Sequence, residues 1–408
     1  MLLIKNDFKT IQFAIFFTDF DEERSSVYRF LLPRLLTSHT NKLINKTKMS
    51  EKLEDLYGAY FKTRVERIGN LSIVSIILTI VDPIIVGDEQ LFDHALGLLN
   101  QVLFEHDVFN KDIFLEEQRM LIEQWETLYD KKRLYAHTKF YEHFFKDDTY
   151  GYPMSGSLKD IKKLTVEKIY DYYKNVFLSN TKKLIVNGRI SDINKQKIES
   201  LMLHDKKDEK KHSFIAHFRP SRELFVVEEE TQMQQAILKL GYHFPIFRDD
   251  PLYHAAVILD TILGGYPESR LFKEIREQNG LCYDISSSYD YYKGVIMVSS
   301  GVDLKQKDKA LEAIKSLVIH MMEYGIDQSE LDHAKAYYTH QIKSGLDSQS
   351  FLTKRTFIRD LLNHEETIEE RLIEIEKVKL DDVEKALKKI SLDTIYVLRG
   401  GQNDKEIL

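Results

Sequence analysis

Near the start of the chain Ile11, Phe13, Ile15 and Phe17 alternate with Gln12, Ala14 and Phe16. That period of two predicts a mostly buried strand. The period then lengthens. Over 21–40, Val27, Leu31, Leu32, Leu35 and Leu36 recur at helical spacing, and a second helical stretch over 49–57 carries Leu53 and Leu56 and stops at Gly58. Residues 60–81 predict two strands, the second being the β-branched run Leu71 to Val81. A helix is expected near 88–105, from Leu91, Ala95, Leu98, Leu99 and Val102, and one long helix over about 111–146. A shorter helix near 165–176 precedes the strand 184–186 and Gly188.

The second half repeats this order. Strands are expected at 224–227 and 236–242, and helices at 251–263 and 269–278, the latter stopped by Gly280. The strand 295–298 leads to Gly301-Val302-Asp303. Long helices at 305–324 and 328–346 follow, with further helices near 350–362 and 380–389 and a last strand at 394–398 before Gly400. The segments Glu51 to Asp82 and Arg270 to Asp303 both read helix, glycine, strand pair, and both close on Val-Asp. Ile161-Lys-Lys-Leu-Thr leading to Gly188 parallels Ile375-Glu-Lys-Val-Lys leading to Gly400. One repeat of this length means a duplicated domain and not a solenoid. The expected organisation is a first α+β repeat over 1–203, a linker over 204–220 that is polar and mixed in charge from 204 to 213, and a second α+β repeat over 221–408. The fold class is α+β. Each repeat should be a mostly antiparallel sheet covered on one face by helices.

Composition narrows the function. The 408 residues are 43% hydrophobic and 30% charged, which is ordinary globular usage. The net charge of −7 argues against a dedicated nucleic-acid binder. No apolar run is long enough for a membrane span. With one cysteine and no recognisable export signal, a cytoplasmic setting is expected. Cys282 reads as a packing residue in a strand. Phosphate-loop, dinucleotide and nucleophile-elbow motifs are absent, and so are His-Glu-x-x-His and its inversion. The closest histidine pairs fail on geometry. His137 and His143 stand about 240° apart on a helix, and His333 and His340 about 10.5 Å apart in rise. Neither pair can share one zinc ion at bonding distance.

Several ordered segments carry a resemblance. They are Phe8-Lys9-Thr10, Tyr150-Gly-Tyr-Pro-Met-Ser-Gly156, Gln234-Gln-Ala-Ile-Leu238, Ser269-Arg-Leu-Phe-Lys-Glu-Ile-Arg276, Gly280-Leu-Cys-Tyr283 and Glu330-Leu-Asp-His-Ala-Lys335. In this order and spacing the chain resembles, over nearly its whole length, the insulinase / pitrilysin / mitochondrial processing peptidase family of zinc peptidases. It is most like small bacterial members of the YmfF type, which lack the zinc motif. The resemblance implies a clamshell half built of two repeats. It also locates a loss. Active members carry His-x-x-Glu-His on the first helix, where this chain reads Arg29-Phe-Leu-Leu-Pro-Arg-Leu35. Arg29 and Pro33 stand at the histidine positions, Leu32 at that of the general base, and Gln124 at that of the third ligand, seven residues after Glu117. A guanidinium cannot ligate zinc and leucine cannot carry a proton. No metal and no cofactor is therefore expected in this chain, and no peptidase activity of its own.

The resemblance also implies a retained feature. Family members supply an arginine and a tyrosine from the second repeat to the substrate backbone and the polarised carbonyl, and Arg276 and Tyr283 occupy those positions. Both are hydrogen-bond donors suited to a developing oxyanion. The residues alone equally allow Arg276 to pair with a helix acid and Tyr283 to pack in a strand. Gly264-Gly265 leave open a flexible approach to substrate or a helix C-cap. A lost zinc motif beside a kept Arg/Tyr pair implies the substrate-binding subunit of a heterodimeric peptidase. Its partner would be a zinc-bearing paralogue, and its substrate an extended peptide added to a sheet edge. The alternatives are a stand-alone peptide-binding or scaffold protein, homodimeric in one form, and a hydrolase using Glu123, Glu126 and a distant histidine.

Overall fold

Five strands from each half of the chain pair in the same order in the computed structural model, which describes residues 1–202, 222–363 and 366–401. The linker expected at 204–220 lies outside the described residues. The first sheet runs β1-β5-β2-β4-β3, from β1 (Leu2–Lys5), β2 (Thr10–Phe20), β3 (Tyr60–Ile68), β4 (Leu71–Val81) and β5 (Thr181–Gly188). The second runs β6-β10-β7-β9-β8, from β6 (Phe225–Thr231), β7 (Gln235–His243), β8 (Cys282–Asp290), β9 (Val295–Asp303) and β10 (Ser391–Gly400). Only β1–β5 and β6–β10 are parallel; the other pairs are antiparallel. The matching order is what a duplication produces, and it reaches local detail. The Asp82 side chain accepts from Ile84 N at 3.1 Å after β4, and that of Asp303 from Lys305 N at 2.8 Å after β9. Gly58 and Gly280 both take positive φ, 76° and 61°, in the turns that lead into β3 and β8.

The described residues divide into two compact units. One holds residues 1–129, 152–202 and 345–363, and the other 130–151, 222–344 and 366–401. Two helical segments thus join the sheet of the opposite sequence half. In the first unit, Ile11, Phe13, Ile15 and Phe17 of β2 enter the main core, with Leu31, Leu32, Leu35 and Leu36 of the Glu23–Leu36 helix. The alternate residues of β2 face the opposite side, where the Gln349–Leu361 helix lies. Phe357 stacks on Phe16 with centroids 4.0 Å apart, and Thr353 donates to Gln12 Oε1 at 2.9 Å. Asn187, fully buried in β5, donates to Thr353 Oγ1 at 2.9 Å.

The second unit repeats the device with other residues. Ala236, Leu238, Leu240 and Tyr242 of β7 face the main core. Ile237 faces the other side and packs with Ala136, Phe140 and Phe144 of the Lys132–Phe144 helix. Gly241 lies beneath Phe144, and a Cβ there would fall 2.5 Å from the ring. Each sheet therefore carries helices on one face and a single helix on the other, where the sequence predicted cover on one face. The expected helix over 111–146 is two, Lys111–Glu126 and Lys132–Phe144, which belong to different units. Neither glycine nor proline marks the break, so hydrophobic periodicity ran through it.

Candidate functional site

Strand β8 is an outer strand of its sheet, hydrogen-bonded among the described residues to β9 alone. An outer strand presents unpaired backbone groups that another extended chain can match. Its start is bulged. Cys282 faces Val302 and Asp284 faces Gly301, which leaves Tyr283 as the extra residue. A bulge re-aims a side chain, and Tyr283 is 55% exposed, its hydroxyl free of any partner among the described residues. Cys282 points the other way and is buried; burial pushes its thiol up, away from the reactive thiolate.

Arg276 lies just before that strand. Its helix, Leu271–Gln278, is wound as a π-helix, a form enriched at functional sites that periodicity did not foretell. Leu271 and Ile275 are buried, while Arg276 is exposed. Its guanidinium lies 4.5 Å from the Phe272 ring centroid and forms no ion pair among the described residues. The turn that follows is closed by Gly280 N to Arg276 O at 3.1 Å and Leu281 N to Ile275 O at 3.0 Å. Arg276 and Tyr283 thus flank one tight turn at the mouth of the free strand. The alternatives of an acid-paired arginine and a packed tyrosine do not describe these positions.

The strand is held from below. Asp260 accepts from Ser287 Oγ at 2.6 Å and from Tyr289 N at 3.2 Å, and burial pushes its carboxyl up to about 6. Gly264 lies so close that a Cβ would fall 2.5 Å from Ser287 N. The Gly264-Gly265 pair ends the π-turn Thr261–Gly265 and permits that approach. From above, Arg133 donates to both oxygens of Asp284, at 2.9 and 2.7 Å. Neither Arg133 nor Asp284 stands out in the sequence as a site residue. The one available signal was the Lys-Lys-Arg run that opens the helix.

In the first unit, Arg29 is 2% exposed and spends its donors on Phe20 O, Asp21 Oδ1 and Glu22 O, at 2.8–2.9 Å. Arg67 Nε lies 2.7 Å from the other Asp21 oxygen. Leu32 is fully buried in the core, and Pro33 is buried inside the helix. Gln124 is exposed. Glu117 is buried and taken by Lys46 at 2.7 Å, with Arg34 at 3.8 Å. Zinc needs imidazole, thiolate or carboxylate donors converging on one point. A guanidinium already bound to carbonyls, a leucine, a proline and an exposed amide do not fit that ion. No cluster of three or more His, Cys, Asp or Glu able to hold a metal occurs among the described residues. No helix among them is long and apolar enough to cross a membrane.

The family described as "Peptidase M16 inactive domain" matches residues 163–338. The "Probable inactive metalloprotease YmfF" of Bacillus subtilis is 26% identical over 380 residues, 91% of this chain and 88% of that protein. The "Uncharacterized zinc protease YmxG" of the same organism is 22% identical over 71% of each chain. In fold, a conserved protein from Enterococcus faecalis V583 superposes with a TM-score of 0.91 at 24% identity, over 99% of this chain and 96% of that one. A peptidase M16 inactive domain from Pseudomonas fluorescens gives 0.81 at 17% identity, again over 99% and 96%. Residues 163–338 thus match the peptidase M16 inactive domain, and over nearly its whole length the chain is similar to a probable inactive metalloprotease; with arginine, leucine and proline at positions 29, 32 and 33, it is a metallopeptidase homologue whose first helix offers neither a zinc ligand nor a general base at those positions.

Proposed function

We propose that this protein is the substrate-binding, non-catalytic subunit of a heterodimeric peptidase. A zinc-bearing paralogue supplies the activated water, and zinc resides in that partner alone. A peptide lies extended along β8 and pairs with its free backbone groups. Arg276 and Tyr283 donate to the peptide backbone and to the oxygen of the tetrahedral intermediate. One observation carries this reading: both side chains stand exposed and, among the described residues, without acid or hydrogen-bond partners at the mouth of an edge strand, while the rest of the turn is tightly tied. Bacillus subtilis holds homologues of both kinds, one named inactive and one named a zinc protease, as a two-subunit arrangement requires. The setting we infer is cytoplasmic.

The test is co-purification with a zinc-bearing homologue from the same organism, followed by peptide cleavage with and without this chain. Turnover should require both proteins, and Arg276→Ala and Tyr283→Phe should each lower it about tenfold or more, since one donor to an oxyanion is worth roughly 3 kcal/mol. Unchanged turnover in both variants would leave a stand-alone peptide binder in its place.

A further inference from the structure

Asparagine precedes glycine twice in the chain, at Asn187-Gly188 and at Asn279-Gly280. An asparagine side-chain amide is open to attack by the backbone nitrogen of the next residue, and glycine puts no Cβ in the way. The fold treats the two pairs in opposite ways. Asn187 is fully buried in β5, a strand paired on both sides. Its Nδ2 donates to Gln349 O at 3.0 Å and to Thr353 Oγ1 at 2.9 Å, and its Oδ1 accepts from Asn6. Gly188 is equally confined, since a Cβ there would fall 2.8 Å from Thr10 O. Asn279 and Gly280 are both exposed, in the turn between Arg276 and Tyr283. A Cβ on Gly280 would meet nothing within 4 Å.

Hydrogen bonds hold the reacting atoms of this turn apart. Asn279 N and Asn279 Nδ2 both donate to Glu274 O, at 3.2 and 2.6 Å. Gly280 N donates to Arg276 O at 3.1 Å, with Asn279 ψ at −16°. A succinimide ring needs Gly280 N at bonding distance from Asn279 Cγ, so it forms only when these bonds open. An exposed turn opens locally at far lower cost than a central strand, which opens with the whole fold.

We propose that Asn279 is a deamidation site gated by the opening of this turn. Gly280 N attacks Asn279 Cγ and gives up its proton. The N–Cγ bond forms, the Cγ–Nδ2 bond breaks, and ammonia carries the proton away. Solvent water then opens the succinimide. Breaking the new N–Cγ bond leaves aspartate, and breaking the original peptide bond leaves isoaspartate; nothing is oxidised or reduced. Either product replaces a donor to Glu274 O with a carboxylate that repels it. It also sets a negative charge beside Arg276, whose guanidinium forms no ion pair among the described residues. The modified turn thus hands Arg276 an acid partner and takes away a free donor. The inference needs neither a partner protein nor a bound peptide, so it stands or falls apart from the proposed function.

The experiment is incubation of the full chain at 37 °C over weeks, with proteolytic peptides read by mass spectrometry and isoaspartate read by enzymatic methylation. A free peptide of residues 274–285 is incubated alongside. Asn279 should convert before any other asparagine of the chain. Its rate should exceed that of Asn187 about tenfold or more, and fall below that of the free peptide about fivefold or more, because the turn opens more readily than β5 but is closed most of the time. The rate should rise between pH 7 and pH 9, as hydroxide removes the proton from Gly280 N. Asn279→Gln should abolish conversion at this position. In Asn279→Asp, the new carboxylate should titrate below the usual aspartate range by NMR, and return to it when Arg276→Ala is added. Conversion of Asn187 as fast as Asn279, or an unchanged Asn279 beside a fully converted peptide, overturns the site. Equal rates in chain and peptide overturn the gate, and a carboxylate indifferent to Arg276→Ala overturns the pairing.

Discussion

Arg29 Nη2 and Asp21 Oδ1 lie 2.8 Å apart at 2% and 1% side-chain exposure, with Arg67 on the opposite oxygen. Arg29 is one arm of a buried ion cluster that also ties the first helix to the end of β2. Removing one member of a buried pair strands the others, at a cost of roughly 3–5 kcal/mol. Arg29→Ala should therefore lower the unfolding free energy by that amount, read from the urea transition followed by the fluorescence of Trp125 in the same unit.

Zinc should be absent for the same reason. Protein incubated with excess zinc and then dialysed should retain less than one ion per chain, and Arg29→Ala should not alter that content. Metal analysis reads this directly. A tightly held equivalent dependent on residues 29–33 would contradict the donor set described.

Stability should fall on acidification through a histidine pair. His39 and His106 pack with ring centroids 5.4 Å apart, and His39 Nε2 accepts from Asn110 N at 3.0 Å. Burial, then the nearby His106, pushes His39 down from 6.5 to about 4. The unfolded chain then binds the extra proton first, so the contribution is complete above pH 6.5 and is lost as pH falls toward 4. The loss approaches roughly 3 kcal/mol from this group. Urea titrations at pH 7 and pH 4.5 measure it, and His39→Phe should flatten the difference.

Substitution at the free strand should spare the fold. Arg276 and Tyr283 are exposed, so Arg276→Ala and Tyr283→Phe should change stability by less than about 0.5 kcal/mol. Superimposable thermal melts alongside lowered partner turnover separate a binding role from a structural one.

The helix on the second face of the first sheet should be a major source of stability. Phe357 is 1% exposed against Phe16, and Phe357→Ala should cost roughly 3–5 kcal/mol in the Trp125-reported transition.

Much of this was legible beforehand because it is written in short-range periodicity. The alternation of β2, the glycine stops at 58 and 280 and the Val-Asp pairs at 81–82 and 302–303 all mark real structural equivalences. That arginine, leucine and proline at 29, 32 and 33 can be neither zinc ligands nor bases was legible from side-chain chemistry alone. What stayed hidden depends on pairings distant in sequence. Arg133 meets Asp284 across 151 residues, and Thr353 meets Gln12 across 341. The bulge at Tyr283 is set by register with β9, and the π-winding around Arg276 leaves its apolar pattern looking α-helical. Leu-Lys-Leu at 238–240 reads as plain alternation, and only the packing shows that Lys239 is half-buried between the charges of Arg133 and Asp284.

The traded helices make the two halves hostages of each other. A gene cut between residues 202 and 222 would yield two products, each lacking the segment that roofs the second face of its own sheet, with Phe16 bare in one and Gly241 in the other. Expressed apart, neither half would keep the cover on the second face of its own sheet.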